Sequence, residues 1–179
     1  MRGESLPSRP PIALLLGSNL GNRQATLAMA RYALGATGAM KILRASSVYE
    51  TEPVDCAPQP WYLNQALWVA SDLPPALLLA WCQGVESRLG RHRGLPRGPR
   101  TLDVDLLFFG DLVVRTPLLT LPHPALHKRR CVLVPLAELE MPWRHPLLGS
   151  DAGCMLRACK DPGAVALVVP GVSAEAGER

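Results

Sequence analysis

The chain has 179 residues, 48% hydrophobic and 19% charged, which suffices for one packed domain and excludes disorder over most of its length. Its net charge of +4 hides an imbalance: sixteen arginines stand against three lysines, Lys41, Lys128 and Lys160. Guanidinium grips phosphate or carboxylate as a flat fork, so the local clustering of these arginines matters more than their sum.

Residues 1–11 read as a flexible N-terminal tail with three prolines. The run 12–16 predicts a buried strand, broken by the turn residues Gly17-Ser18-Asn19-Leu20-Gly21-Asn22. Residues 23–34 predict a helix with Leu27, Ala30 and Leu34 on one face. A second strand is expected over 40–49, a proline-rich loop over 51–60 and a third strand over 61–70. Pro74 and Pro75 open a helix through Leu89, with Leu77, Leu78, Trp81, Val85 and Leu89 as its apolar stripe. Residues 90–100 form a basic loop without acids, followed by a strand over 102–109. Gly110-Asp111 predicts a two-residue hairpin leading into 112–115. A short helix is expected over 132–140, after which 149–179 remains as an extension with weak periodicity, free to pack on the domain. Alternating elements and hairpin chemistry predict an α+β domain over 12–148 with a mainly antiparallel sheet.

The five cysteines, at 56, 82, 131, 154 and 159, are odd in number and irregularly spaced, with no C-x-x-C pair. Zinc spacing is absent, and a disulfide framework is not expected. With no apolar run long enough for a signal segment or membrane span, the expectation is a cytoplasmic protein with no membrane partner.

Chemistry concentrates in the middle of the chain. Asp103 and Asp105 stand two apart on a predicted strand, so both carboxylates share one face. Two adjacent anions repel unless a cation lies between them, and Mg²⁺ with its phosphates suits such a pair. Alone, the pair reads more readily as two aspartates on a solvated face. Arg88, Arg91, Arg93, Arg97 and Arg100 immediately precede it, with Gly90, Gly94 and Gly98 among them. Cations beside metal-binding carboxylates are what a polyphosphate needs. The competing reading is a nucleic-acid patch, but the loop lacks stacking aromatics, and the aspartates would repel a phosphate backbone without metal. Gln83 and Glu86 share a helix face before the loop, and Tyr62 and Asn64 share a strand face, a ring beside an amide. His123 is fixed between Pro122 and Pro124, with Lys128, Arg129 and Arg130 following. The Gly17–Asn22 turn fails the P-loop pattern, because no Lys-Ser/Thr follows it.

Five motifs stand in order: Gly17-Ser18-Asn19-Leu20-Gly21, Ser46-Ser47-Val48-Tyr49-Glu50-Thr51-Glu52-Pro53, Tyr62-Leu63-Asn64, Gly98-Pro99-Arg100-Thr101-Leu102-Asp103-Val104-Asp105, and Leu121-Pro122-His123-Pro124. Together with Arg129 and 132–136, they resemble the 6-hydroxymethyl-7,8-dihydropterin pyrophosphokinase family over about residues 12–148. The resemblance implies a ferredoxin-like α+β sandwich, with helices packed on a mainly antiparallel sheet. It implies transfer of pyrophosphate from ATP to the pterin's hydroxymethyl group in folate biosynthesis, with dihydropteroate synthase as pathway neighbour and no nucleic-acid partner. By the same resemblance Asp103 and Asp105 hold two Mg²⁺ ions, and Arg91 and Arg100 assist the transition state. Arg93, Arg97, His123 and Arg129 hold phosphates, with Arg100 beside them. Gln83, Glu86, the Leu106 backbone and Thr120 contact adenosine. Thr51, Pro53, Val54, Tyr62, Asn64, Asp103 and Cys131 line the pterin pocket. Three departures accompany this. Cys131 stands where the family commonly has an aromatic ring, at a cost of roughly 0.5–1.5 kcal/mol of stacking. Arg97-Gly98-Pro99-Arg100 lacks a tryptophan and is one residue shorter, and Leu118 replaces an arginine of some relatives. The alternative they motivate is a weakened relative that binds ATP or pterin without useful turnover.

Overall fold

The structure, a computed structural model, describes residues 9–54, 56–91 and 98–169. Strand β1 (Ile12–Ser18) is buried at every position and leads into α1 (Arg23–Gly35), whose first turn is capped by the Asn22 side chain accepting from Ala25 N–H. After β2 (Lys41–Ala45) and β3 (Tyr49–Thr51) comes the long β4 (Tyr62–Ala70), then α2 (Pro75–Arg88) and β5 (Asp103–Phe109). The short strands β6 (Val114–Arg115) and β7 (Thr120–Leu121) precede α3 (Arg130–Glu138), α4 (Ala152–Ala158) and β8 (Val165–Leu167).

The main sheet runs β5-β1-β4-β3-β8, with β2 also on β4, and every pairing is antiparallel. Two strand–helix–strand units, β1-α1-β2 and β4-α2-β5, interleave so that β1 and β4 lie centrally. This is the ferredoxin-like α+β sandwich expected from the resemblance. One face of the sheet packs Ile12, Leu14 and Leu16 against α1 and α2. The opposite face packs Ala13, Leu15 and Ala66 under α3 and α4, where Phe108 and Trp143 stack at 3.7 Å. A register shift in the β1–β5 pairing puts both Leu107 and Phe108 into this second core. No helix of the described residues is long and apolar enough to cross a membrane.

Three expectations need correction. The strand expected over 40–49 is two strands, because Ser46 substitutes its side chain for the ladder: its N–H donates to Ala66 O, while its Oγ accepts from Ala66 N–H. The Gly110-Asp111 hairpin is absent: β5 pairs only with β1, and β6 pairs with β7. Gly110 does turn the chain, at φ 53°, but its N–H donates to Pro11 O and its C=O accepts from Trp143 Nε1. Its polar groups are thus taken before a returning strand could use them. The apolar stripe of α2 is rotated: Leu78, Cys82, Val85 and Glu86 are buried, and Leu77 is 56% exposed. The C-terminal extension contributes α4, capped by Asp151, and β8, which adds an edge strand to the sheet.

Candidate active site

The half of the second sheet face not covered by α3 and α4 opens into a cleft of about 450 Å³. Its floor is set by strand register. Leu15 lies opposite Asp105, Gly17 opposite Asp103 and Asn64, and Tyr62 opposite Thr51. Residues directly opposite in antiparallel strands share a face, so all of these present their side chains to the same side. Gly17 makes the hollow. A Cβ there would fall 2.9 Å from Asn64 Oδ1 and 3.8 Å from Asp103 Cβ.

At the β5 end the groups are ionic. Arg91 pairs with Asp103 Oδ1 at 2.7 Å, and Arg100 with Asp103 Oδ2 at 2.6 Å. Arg91 also bonds the buried Glu86, whose Oε1 accepts from Val104 N–H at 2.7 Å. Burial raises the Glu86 pKa, and the Val104 N–H and Arg91 partly offset it. Burial, with the charges of Asp103 and Glu86, raises Asp105 to about 7. This carboxyl is short of positive charge, since both arginines that reach the floor bond Asp103. His123 is lowered by burial and by Arg129, and its Nδ1 accepts from Ala125 N–H. A neutral ring so held has Nε2–H as its remaining donor.

Further along the floor the lining is flat and mixed. Asn64 Nδ2 donates to Thr51 Oγ1 at 2.7 Å, and Tyr62 Oη to Gln59 Oε1 at 3.2 Å. Pro53, Val54 and Cys131 complete this side, and burial pushes the Cys131 thiol up to about 11, so it stays neutral.

The family described as 7,8-dihydro-6-hydroxymethylpterin-pyrophosphokinase matches residues 13–141 of this sequence. The chain belongs to that family. It is 40% identical over 126 residues to the 2-amino-4-hydroxy-6-hydroxymethyldihydropteridine pyrophosphokinase of Bacillus subtilis, covering 70% of this chain and 75% of that one. It is 40% identical over 124 residues to the protein of the same name from Methylorubrum extorquens, covering 69% and 78%. Among solved structures it resembles an HPPK-DHPS crystallised with substrates, at a TM-score of 0.66 and 13% identity. That match covers 84% of this chain but only 43% of the longer protein, and it bears on the fold alone.

All seven residues expected around the pyrophosphokinase's pterin line the cleft, as do Arg100, Asp105, His123 and Arg129. Arg91 reaches it through Asp103. Arg93 and Arg97 lie outside the described residues. Gln83, Thr120 and Leu106 do not line this cleft, and the Leu106 side chain is in the α1/α2 core. Glu86 departs furthest from expectation: it points inward and anchors Arg91 and β5. Among the described residues no group of three or more His, Cys, Asp or Glu is arranged to hold a metal ion. Two carboxylates on one strand face nonetheless fit Mg²⁺, which takes one or two and completes its shell with water and phosphate. The unneutralised Asp105 is the position such a cation would satisfy.

Sequence reasoning missed Asn19, although its motif was noticed. Buried at 2% exposure, it ties both sides of the cleft. Its Oδ1 accepts from Arg100 N–H at 2.7 Å, and its Nδ2 donates to Gln59 Oε1 and Pro60 O, both at 3.0 Å. The Gly-Ser-Asn turn therefore latches loops rather than cradling phosphate. Asn19→Ala should cost about 2–3 kcal/mol, because it strips buried partners from two backbone groups. Thermal unfolding checks the stability, and a fall in turnover at saturating substrate checks the positioning of Arg100.

Proposed function

We propose that this chain transfers the β,γ-pyrophosphoryl group of ATP to the hydroxymethyl oxygen of 6-hydroxymethyl-7,8-dihydropterin, in folate biosynthesis, with Mg²⁺. The pterin hydroxyl oxygen bonds the β-phosphorus and gives up its proton to solvent, the bond from that phosphorus to the α-bridging oxygen breaks, and AMP leaves with that oxygen. One observation carries this reading: a single cleft joins an acid–arginine cluster at one end to the ring-and-amide floor of Tyr62, Asn64 and Thr51 at the other.

Such a transfer needs in-line placement and charge neutralisation more than a strong base. Asp103 and Asp105 would hold Mg²⁺, which when bound neutralises phosphate oxygens. Arg91 and Arg100 are already held at the floor by Asp103, so their cationic heads lie where a triphosphate would meet them. His123 would donate from Nε2–H, and Arg129 would bind an outer phosphate oxygen. Asn64 offers both donor and acceptor, which suits the hydrogen-bonding edge of a pterin. The cytoplasmic setting is supported by five free thiols. Dihydropteroate synthase, which consumes a pterin diphosphate, is the proposed downstream neighbour.

The test is AMP formation from ATP and Mg²⁺, with and without the dihydropterin. AMP and pterin diphosphate should appear together, in equal amounts, only when both substrates are present. ATP bound without pterin-dependent AMP would sink the reading and favour the weakened relative instead.

A further inference from the structure

Five residues of the cleft lining, Asp161 to Val165, come from the C-terminal segment that the sequence left without structure. They are built in, not draped over. Asp161 Oδ2 accepts from Arg130 N–H at 2.8 Å, capping α3, and its Oδ1 accepts from Gly163 N–H at 2.9 Å. Glu52 N–H donates to Ala164 O at 3.0 Å, and Ala164 N–H to Glu52 Oε2 at 3.2 Å. Gly163 is buried directly against the cleft wall, since a Cβ there would meet Val54 Cγ2 at 2.7 Å and Asp161 Oδ1 at 3.0 Å.

Register gives this segment a surface. Val165 lies opposite Thr51, which lies opposite Tyr62, so the three side chains form one row on the cleft face. The row starts at Tyr62, beside Arg100, and Val165 is its end farthest from the ionic cluster. Four strand spacings separate β5 from β8, roughly 19 Å at about 4.8 Å each. The only ionisable side chain in 161–165 is Asp161, an acid that would repel phosphate. A partly apolar wall without a cation suits a heterocycle and not a polyphosphate.

We propose that residues 161–165 are a pterin-binding wall of this enzyme: Val165 and Pro162 contact the heterocycle, and Gly163 sets the position of Val54. This rests on the reading that the cleft binds a pterin. It assigns the edge strand a part in substrate recognition, beyond its part in the sheet.

The test uses the full chain with Gly163→Ala and, separately, Val165→Ala. Gly163→Ala forces Val54 to shift, and Val165→Ala removes contact area at the end of the row. Each should raise the KM for the dihydropterin about three- to tenfold, with the KM for ATP and the thermal midpoint near wild type. An unchanged pterin KM in both variants overturns the proposal. So does a parallel rise in both KM values, or a rise that tracks a lowered thermal midpoint, since those mark a scaffold and not a contact. A wild-type protein with no pterin-dependent AMP formation would instead fail the reading beneath it, and the wall with it.

Discussion

Asp103→Asn/Asp105→Asn should lower pterin-dependent AMP formation by at least roughly 10³-fold, the largest activity loss expected of any pair in the chain. Strand register sets these two carboxylates side by side on the cleft floor, and amides of the same shape cannot bind Mg²⁺ comparably. Folding should survive the change and can even improve. Asp105 titrates near 7 in the folded state, well above an aspartate in an unfolded chain. The folded protein therefore keeps a proton that the unfolded chain releases. Below about pH 4 both states are protonated and the group has no effect on stability. As pH rises toward 7 the unfolded state gains, and above 7 the full cost of the ionised carboxylate is present. Asp105→Asn removes that cost, so without metal its thermal midpoint at pH 8 should exceed that of wild type. At pH 4 the two should converge. A variant that unfolds earlier than wild type at pH 8 would show that Asp105 is a structural partner and not a strained site group.

The parts of this site that could be read from sequence are those whose geometry is local. Strand alternation alone puts Asp103 beside Asp105 and Tyr62 beside Asn64, and the structure keeps both pairs on the cleft face. The parts that could not be read depend on partners distant in sequence. Asn19 bonds Arg100, 81 residues away, and Asp161 caps a helix 31 residues before it. Val165–Leu167 is too short and too exposed to announce itself as a strand, and β3 decides its place. A signal was present all the same: Asp161-Pro162-Gly163 is turn chemistry, and an apolar run follows it. The Gly110-Asp111 hairpin failed for the converse reason, since the local turn formed while Pro11 and Trp143 claimed its polar groups.

Glu86 is the sharpest case, and it carries the second large effect. Its shared face with Gln83 suggested an adenosine contact, but Glu86 is four residues after Cys82 and eight after Leu78, both buried. That spacing places it on the core side of α2, and there it is 4% exposed. Its carboxylate joins α2 to β5 through Val104 N–H and holds Arg91, which in turn reaches Asp103. Glu86→Ala should therefore destabilise the protein by about 3 kcal/mol or more, leaving a buried N–H without its acceptor and Arg91 without its anchor. Denaturant unfolding measures this. Glu86→Gln separates the two roles. Burial already pushes this carboxyl toward its neutral form, so an amide that still accepts from Val104 should keep most of the stability. It cannot hold Arg91 as an ion pair, so turnover should fall by about 10-fold or more while the fold persists. If glutamine restored activity as fully as stability, Arg91 would need no anchor, and its contribution at the cleft would have to come from Asp103 alone.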